Sequence, residues 1–167
     1  MKMSKAEETI KKAILLEHKG RAFYNSIAKN TSSSAVRDIF ESMALEEEEH
    51  IRVLTEQLKS LAQAGSFKYM ELKQMSDEVS PKVLTAKVKE EISGAGYEAA
   101  AISAAMNFEK QAVEYYADRA KATHDEEEAR IFNWLSDWEK THVELLAEID
   151  RELQEKVWYD QSFWPIY

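Results

Sequence analysis

The chain has 167 residues, 44% of them hydrophobic and 32% charged, with no Cys; this suits one domain with a substantial core and excludes disulfides, thiolate zinc sites, iron–sulfur clusters and a cysteine nucleophile. Four Gly and two Pro are too few for the turns of an all-β sandwich or barrel. A formal net charge of -9 disfavours nucleic acid and anionic membrane as partners. No stretch reads as a membrane span, and Met1-Lys2-Met3-Ser4-Lys5 resembles no signal peptide, so a cytoplasmic location is expected.

In chain order, the first helix is expected from about Ser4 to Lys29. Ser4 and Glu7 form a capping box, and Ile10, Ala13, Ile14, Gly20, Tyr24, Ile27 and Ala28 recur with helical period. Asn30 to Ser34 is a polar break. A second helix runs from about Ala35 to Leu61 on the stripe Val36, Ile39, Phe40, Met43, Ile51, Leu54, Leu58 and Leu61. Ser80-Pro81 reads as an N-cap with Pro at the first helical position, opening a short helix to about Ile92, which Gly94-Ala95-Gly96 stops. The third long helix spans about Tyr97 to Ala122, and the fourth, capped by Asp125 with Glu128, about Asp125 to Gln154. The expected fold is all-α: a four-helix bundle over residues 1–155, built of two helical hairpins joined by a crossover at about 62–96, which is the ferritin-like topology. Residues 156–167 form a tail holding Trp158, Tyr159, Phe163, Trp164 and Tyr167, which implies docking against this domain or a second subunit.

A shift of 92 residues lays the chain on itself: Glu17 falls on Glu109, Tyr24 on Tyr116, Ile39-Phe40 on Ile131-Phe132, Glu47 on Glu139 and His50 on His142. The hairpins are therefore pseudo-symmetric repeats. The polar residues of the repeat interrupt its apolar stripes. Glu17 lies between Ile14 and Gly20; Glu47 and His50 between Met43 and Leu54; Glu109 between Ala105 and Ala112; Glu139 and His142 between Leu135 and Leu146. Four ionised carboxylates in a bundle core would cost many kcal/mol without compensation, and two divalent cations would neutralise them. Glu-x-x-His puts two ligands on one helix face, a turn apart. With 24 Glu in the chain one such motif means little, but both occurrences have a further Glu 30 residues upstream. These six residues are the predicted metal ligands.

The pattern resembles the ferritin-like di-iron carboxylate proteins, and among them the rubrerythrin type, in the runs Glu17, Gly20, Tyr24 and Glu109, Ala112, Tyr116. The resemblance covers about Ile10 to Ile149 apart from the crossover. It implies two iron ions per chain, bridged by Glu47 and Glu139, with Glu17 and His50 completing one and Glu109 and His142 the other; manganese or zinc also suits these donors. Two departures stand out. Rubrerythrins usually carry a C-terminal rubredoxin domain with paired Cys-x-x-Cys, whereas this chain has no Cys, so a form lacking that domain is expected and electrons must come from an external, rubredoxin-like donor. Rubrerythrins also usually place a second Glu three residues after the third-helix ligand. Here that position is Ala112, which makes the six-ligand set closer to ferritins and bacterioferritins.

Around the ligands, Tyr24 and Tyr116 lie two turns along from Glu17 and Glu109 and are candidates to hydrogen-bond a ligand carboxylate or to relay an electron. Glu46 is a candidate to orient His142, although its repeat partner is Trp138. His18 and His124 fall off the pattern and are expected at the surface or at a cap, and among the runs 46–49 and 126–128 only Glu47 needs a special role. The expected function is a di-iron oxidoreductase that reduces hydrogen peroxide. The alternatives are ferroxidase activity with iron storage, as in ferritins, and a structural or interaction bundle stabilised by metal. Trp134, Trp138 and the tail predict exposed apolar surface, hence a homodimer or larger homo-oligomer.

Overall fold

The computed structural model describes residues 3–74, 81–93 and 96–160. Five helices follow in order: α1 (Lys5–Asn30), α2 (Ser34–Ala64), α3 (Pro81–Glu91), α4 (Tyr97–Ala122) and α5 (Glu126–Asp160). α1 packs along α2 and α4 along α5, giving the two expected hairpins, while α3 lies against α5 and α2. No helix among the described residues is long and apolar enough to cross a membrane.

The helix ends follow the local sequence. The Ser4 hydroxyl accepts from the Glu7 N–H at 3.2 Å, and the Glu7 carboxylate accepts from the Ser4 N–H at 2.7 Å. α2 begins at Ser33, whose hydroxyl accepts from the Val36 N–H at 3.1 Å, and it ends at Gly65 with φ +71°, a left-handed stop suited to glycine. Asp125 accepts from the Glu128 N–H at 2.9 Å and opens α5 as expected. α5 then runs six residues past the expected end at Gln154, because nothing from 155 to 160 breaks a helix. Residues 156–160 of the expected tail are thus the end of α5, with Trp158 and Tyr159 exposed on it. The Lys156 ammonium reaches the carbonyls of Lys89 and Ile92 at 2.8 and 3.0 Å and ties this end to the C-terminus of α3. The Ser80 cap, Gly94, Ala95, and the tail residues Phe163, Trp164 and Tyr167 lie outside the described residues.

The crossover is tied down at both ends. Gln57, fully buried, exchanges two hydrogen bonds with the backbone of Lys68, at 2.8 and 3.0 Å. Arg130 donates to the Met70 carbonyl at 2.6 Å, and Trp134 to the Lys73 carbonyl at 2.9 Å. Further on, the Glu91 carboxylate accepts from the hydroxyls of Ser33 and Ser34 at 2.6 and 3.0 Å and from the Ala35 N–H at 2.9 Å, fastening α3 to the N-terminus of α2.

Two apolar clusters fill the bundle. One gathers Tyr24, Ile27, Val36, Ile39, Phe40, Met43, Ile102, Leu146 and Ile149, with Val88 and Ile92 from the α3 region. The other gathers Ile10, Ala13, Val53, Leu54, Tyr116, Ile131, Phe132 and Leu135. Every long helix passes from one cluster to the other, and on each the polar residues of the repeat fall at the crossing point.

Candidate metal centre

Glu17 comes from α1, Glu47 and His50 from α2, Glu109 from α4, and Glu139 and His142 from α5; none is more than 4% exposed. The structure brings all six together. Glu17, Glu47, His50 and Glu139 each offer one ligand atom within 4.8 Å of the others, and so do Glu47, Glu109, Glu139 and His142. Glu47 and Glu139 belong to both groups, which makes the pair one centre with two positions. Both imidazoles turn Nδ1 inward. His50 Nδ1 lies 3.0 Å from Glu17 Oε2 and 3.1 Å from Glu139 Oε1; His142 Nδ1 lies 3.2 Å from Glu109 Oε1 and 3.0 Å from Glu139 Oε2. The i, i+3 spacing on α2 and α5 produces this convergence.

Close approach of α1 makes room for the centre. A Cβ on Gly20 would stand 3.0 Å from Phe108 Cε1 and 3.4 Å from Glu47 Oε2, so any larger residue here would require the Phe108 ring to give way.

The protein atoms alone do not satisfy this arrangement. Among the described residues, Glu47 Oε1, Glu109 Oε2 and His50 Nε2 are buried with no hydrogen-bond partner. Burial, together with the crowding of Glu139 and its neighbours, pushes Glu17 and Glu47 well above the usual carboxylate range and Glu109 up to about 7. Burial pushes Glu139 the same way, but the charges and hydrogen bonds of His50 and His142 on either side overcome it and hold this carboxyl low. Burial disfavours the charged form of both imidazoles as well; the surrounding carboxylates outweigh it and raise both, Glu139 chiefly for His50 and Glu109 with Glu139 for His142. Four carboxylates and two imidazoles, with oxygens left over and aimed inward, form a donor set that fits two divalent cations.

The surroundings complete the picture. The Tyr24 hydroxyl donates to Glu109, and the Tyr116 hydroxyl donates to Glu17. The two bonds cross between the hairpins, each tyrosine on α1 or α4 holding the ligand of the other helix, and burial raises the Tyr24 hydroxyl far above its ordinary range, so it stays a donor. Glu46, a candidate in the sequence, reaches His142: its Oε2 lies 2.5 Å from His142 Nε2 and also accepts from Trp138 Nε1–H at 2.5 Å. Glu47 is therefore not alone in its acidic run in having a special role. Ala112 is buried in the apolar cluster and contributes no seventh carboxylate. His18 is exposed beside Arg21, and His124 is exposed before α5.

The tryptophans are placed otherwise than expected. Trp138 is 4% exposed and Trp134 is half-buried, and both rings stand edge-on to the His50 imidazole with centroids 5.2 Å away. These indoles wall the centre, so they do not supply the apolar surface on which oligomerisation was expected. Their spacing from the ligands, Trp134 eight residues and Trp138 four residues before His142, is two turns and one turn of helix and was the available signal.

Comparison with curated proteins and with solved structures returned no match. Residues 8–150 match the sequence profile described as Rubrerythrin, a span that contains all six candidate ligands, both tyrosines and Glu46. The chain belongs to the rubrerythrin family.

Proposed function

We propose that this chain is a di-iron oxidoreductase that reduces hydrogen peroxide with electrons from a separate donor. The observation that carries the reading is the buried pair of ligand groups sharing Glu47 and Glu139, within a chain of the rubrerythrin family. Glu17 with His50 would hold one metal and Glu109 with His142 the other, with Glu47 and Glu139 within reach of both. When bound, two ferrous ions supply the two electrons that reduction of one peroxide to water needs. The four Glu offset the +4 of the metals, so the loaded core is neutral. Tyr116 and Tyr24 orient Glu17 and Glu109 through one oxygen each, and the second oxygen of Glu109 is left to follow a change of metal charge. The walls of apolar side chains and indoles limit access of water. The 167 residues contain no Cys, so a thiolate-bound redox partner acts from outside them. Manganese or zinc fits the same donors, and loading with each tests the choice of metal.

Stopped-flow absorbance of protein loaded anaerobically with two Fe(II) per chain tests the reading. Oxidation by hydrogen peroxide much faster than by dioxygen is the expected result. Faster oxidation by dioxygen overturns it in favour of ferroxidase chemistry, and metal binding with neither reaction leaves a metal-stabilised structural bundle. Glu47→Ala removes a shared ligand and is expected to abolish paired metal binding and turnover together. Within the same reading the chain works in the cytoplasm as a homodimer or larger homo-oligomer. Exposed Leu15 and Leu45 on α1 and α2 support the assembly, and light scattering on purified protein tests it.

A further inference from the structure

The inner ligands repeat across the two hairpins, but the groups behind the two imidazoles do not. A 92-residue shift places Glu46 on Trp138. Behind His142, Nε2 meets the Glu46 carboxylate at 2.5 Å, an oxygen that Trp138 Nε1–H also holds at 2.5 Å. Behind His50, Nε2 is buried with no hydrogen-bond partner among the described residues, and the indoles of Trp134 and Trp138 pack nearly perpendicular to the imidazole, each with its centroid 5.2 Å away. A carboxylate on the outer nitrogen fixes the imidazole tautomer with Nδ1 free to ligate, fixes the ring's orientation, and makes Nδ1 a stronger donor. His142 has all three advantages; His50 has only packing.

Resting on the metal-centre reading above, we propose that the two positions are unequal and fill in order: the position of Glu109 and His142 binds first and tightly, and the position of Glu17 and His50 is the weaker, exchangeable one. Glu46 is the positioning residue that sets the difference, and Trp138 serves both sides, donating to Glu46 while denying His50 an equivalent. Exchange and loss of metal therefore begin at His50.

Zn(II) alone is the probe, added stepwise to the metal-free full chain and followed by imidazole NMR and by calorimetry. In the unaltered protein the His142 ring signals are expected to shift during the first equivalent and those of His50 during the second, in two calorimetric steps. Glu46→Gln keeps an acceptor for Trp138 but removes the charge; it is expected to weaken the first step by about 10–100-fold and leave the second unchanged, so the order of filling is lost. Trp138→Phe keeps a ring against His50 and leaves Glu46 on His142, so it retains ordered filling. A loss of fold would lower both steps alike. Simultaneous shifts of both rings in the unaltered protein, or equal weakening of both steps by Glu46→Gln in a chain with unchanged circular dichroism, would overturn the proposal. Ordered Zn(II) filling in a protein inert to peroxide would sink the enzymatic reading alone; absence of Zn(II) uptake would sink the metal centre and this inference together.

Discussion

Glu47→Leu separates what the centre costs the fold from what it gives. Glu47 is 2% exposed, Oε1 has no partner among the described residues, and burial together with Glu139 and Glu17 pushes its carboxyl well above the usual range. Near neutral pH the folded chain must therefore hold a poorly compensated charge or take up a proton there, and each subtracts from stability. Leucine removes the unpaired oxygen and fills similar space against Gly20. Relief of an unpaired buried polar group amounts to about 1–3 kcal/mol. For a chain of this size about 1 kcal/mol moves the midpoint by roughly 2–4 °C, so the metal-free variant should melt roughly 2–12 °C above the unaltered protein. Metal reverses the order. At a free concentration of about 100 Kd each occupied position adds about 2.7 kcal/mol, hence about 5 kcal/mol for two, and the variant forfeits most of that. Scanning calorimetry with a chelator and then with excess Zn(II) reads both arms. A variant that melts below the unaltered protein in chelator, or whose midpoint rises with metal as much as the unaltered protein's, would refute the reasoning.

Tyr116→Phe removes the donor to Glu17, and Tyr24→Phe the donor to Glu109; each should weaken metal binding by about 10–100-fold with little change in helix content, as read by calorimetric titration. Gly20→Val drives a branched side chain into Phe108 and the Glu47 carboxylate and should cost about 1–3 kcal/mol in denaturant unfolding, since overpacking outweighs the gain in helix propensity. Glu91→Gln weakens the fastening of α3 to α2 and should lower the melting midpoint at pH 7. The Ser33 hydroxyl, then the Ala35 N–H, holds Glu91 below its ordinary 4.5, so its stabilisation is complete above that pH and fades as pH falls through the folded value. The gap between the two proteins should close in acid; a gap that persists at pH 2–3 would show that Glu91 acts by something other than its charge.

Most of the architecture was legible because it is written in local and periodic terms. A helix stripe, a capping box at Ser4 and Glu7, and a Glu-x-x-His pair depend on residues within one or two turns of one another, and the 92-residue repeat shows that the two hairpins are built alike. The six candidate ligands were legible for a related reason: a charged residue in the middle of an apolar stripe has few physical explanations. The end of α5 was missed because no breaker marks it, and the contact of Lys156 with the carbonyls at the end of α3 joins residues far apart in the chain.

Sequence alone determined the helix content, the pairing of the helices into hairpins, and the identity of the inward-facing carboxylates and imidazoles, since all of these follow from spacing along single helices. Only the packing of α1 and α2 against α4 and α5 decided the rest. It crossed Tyr24 to Glu109 and Tyr116 to Glu17, set Glu46 behind His142, and turned Trp134 and Trp138 inward to His50 rather than outward. Those contacts join residues 84 to 99 positions apart in the chain, or set a ring from one hairpin against a ligand of the other, so no local pattern records them. They arise where the two amphipathic hairpins bury both apolar clusters against each other, which brings these side chains to the polar layer between them.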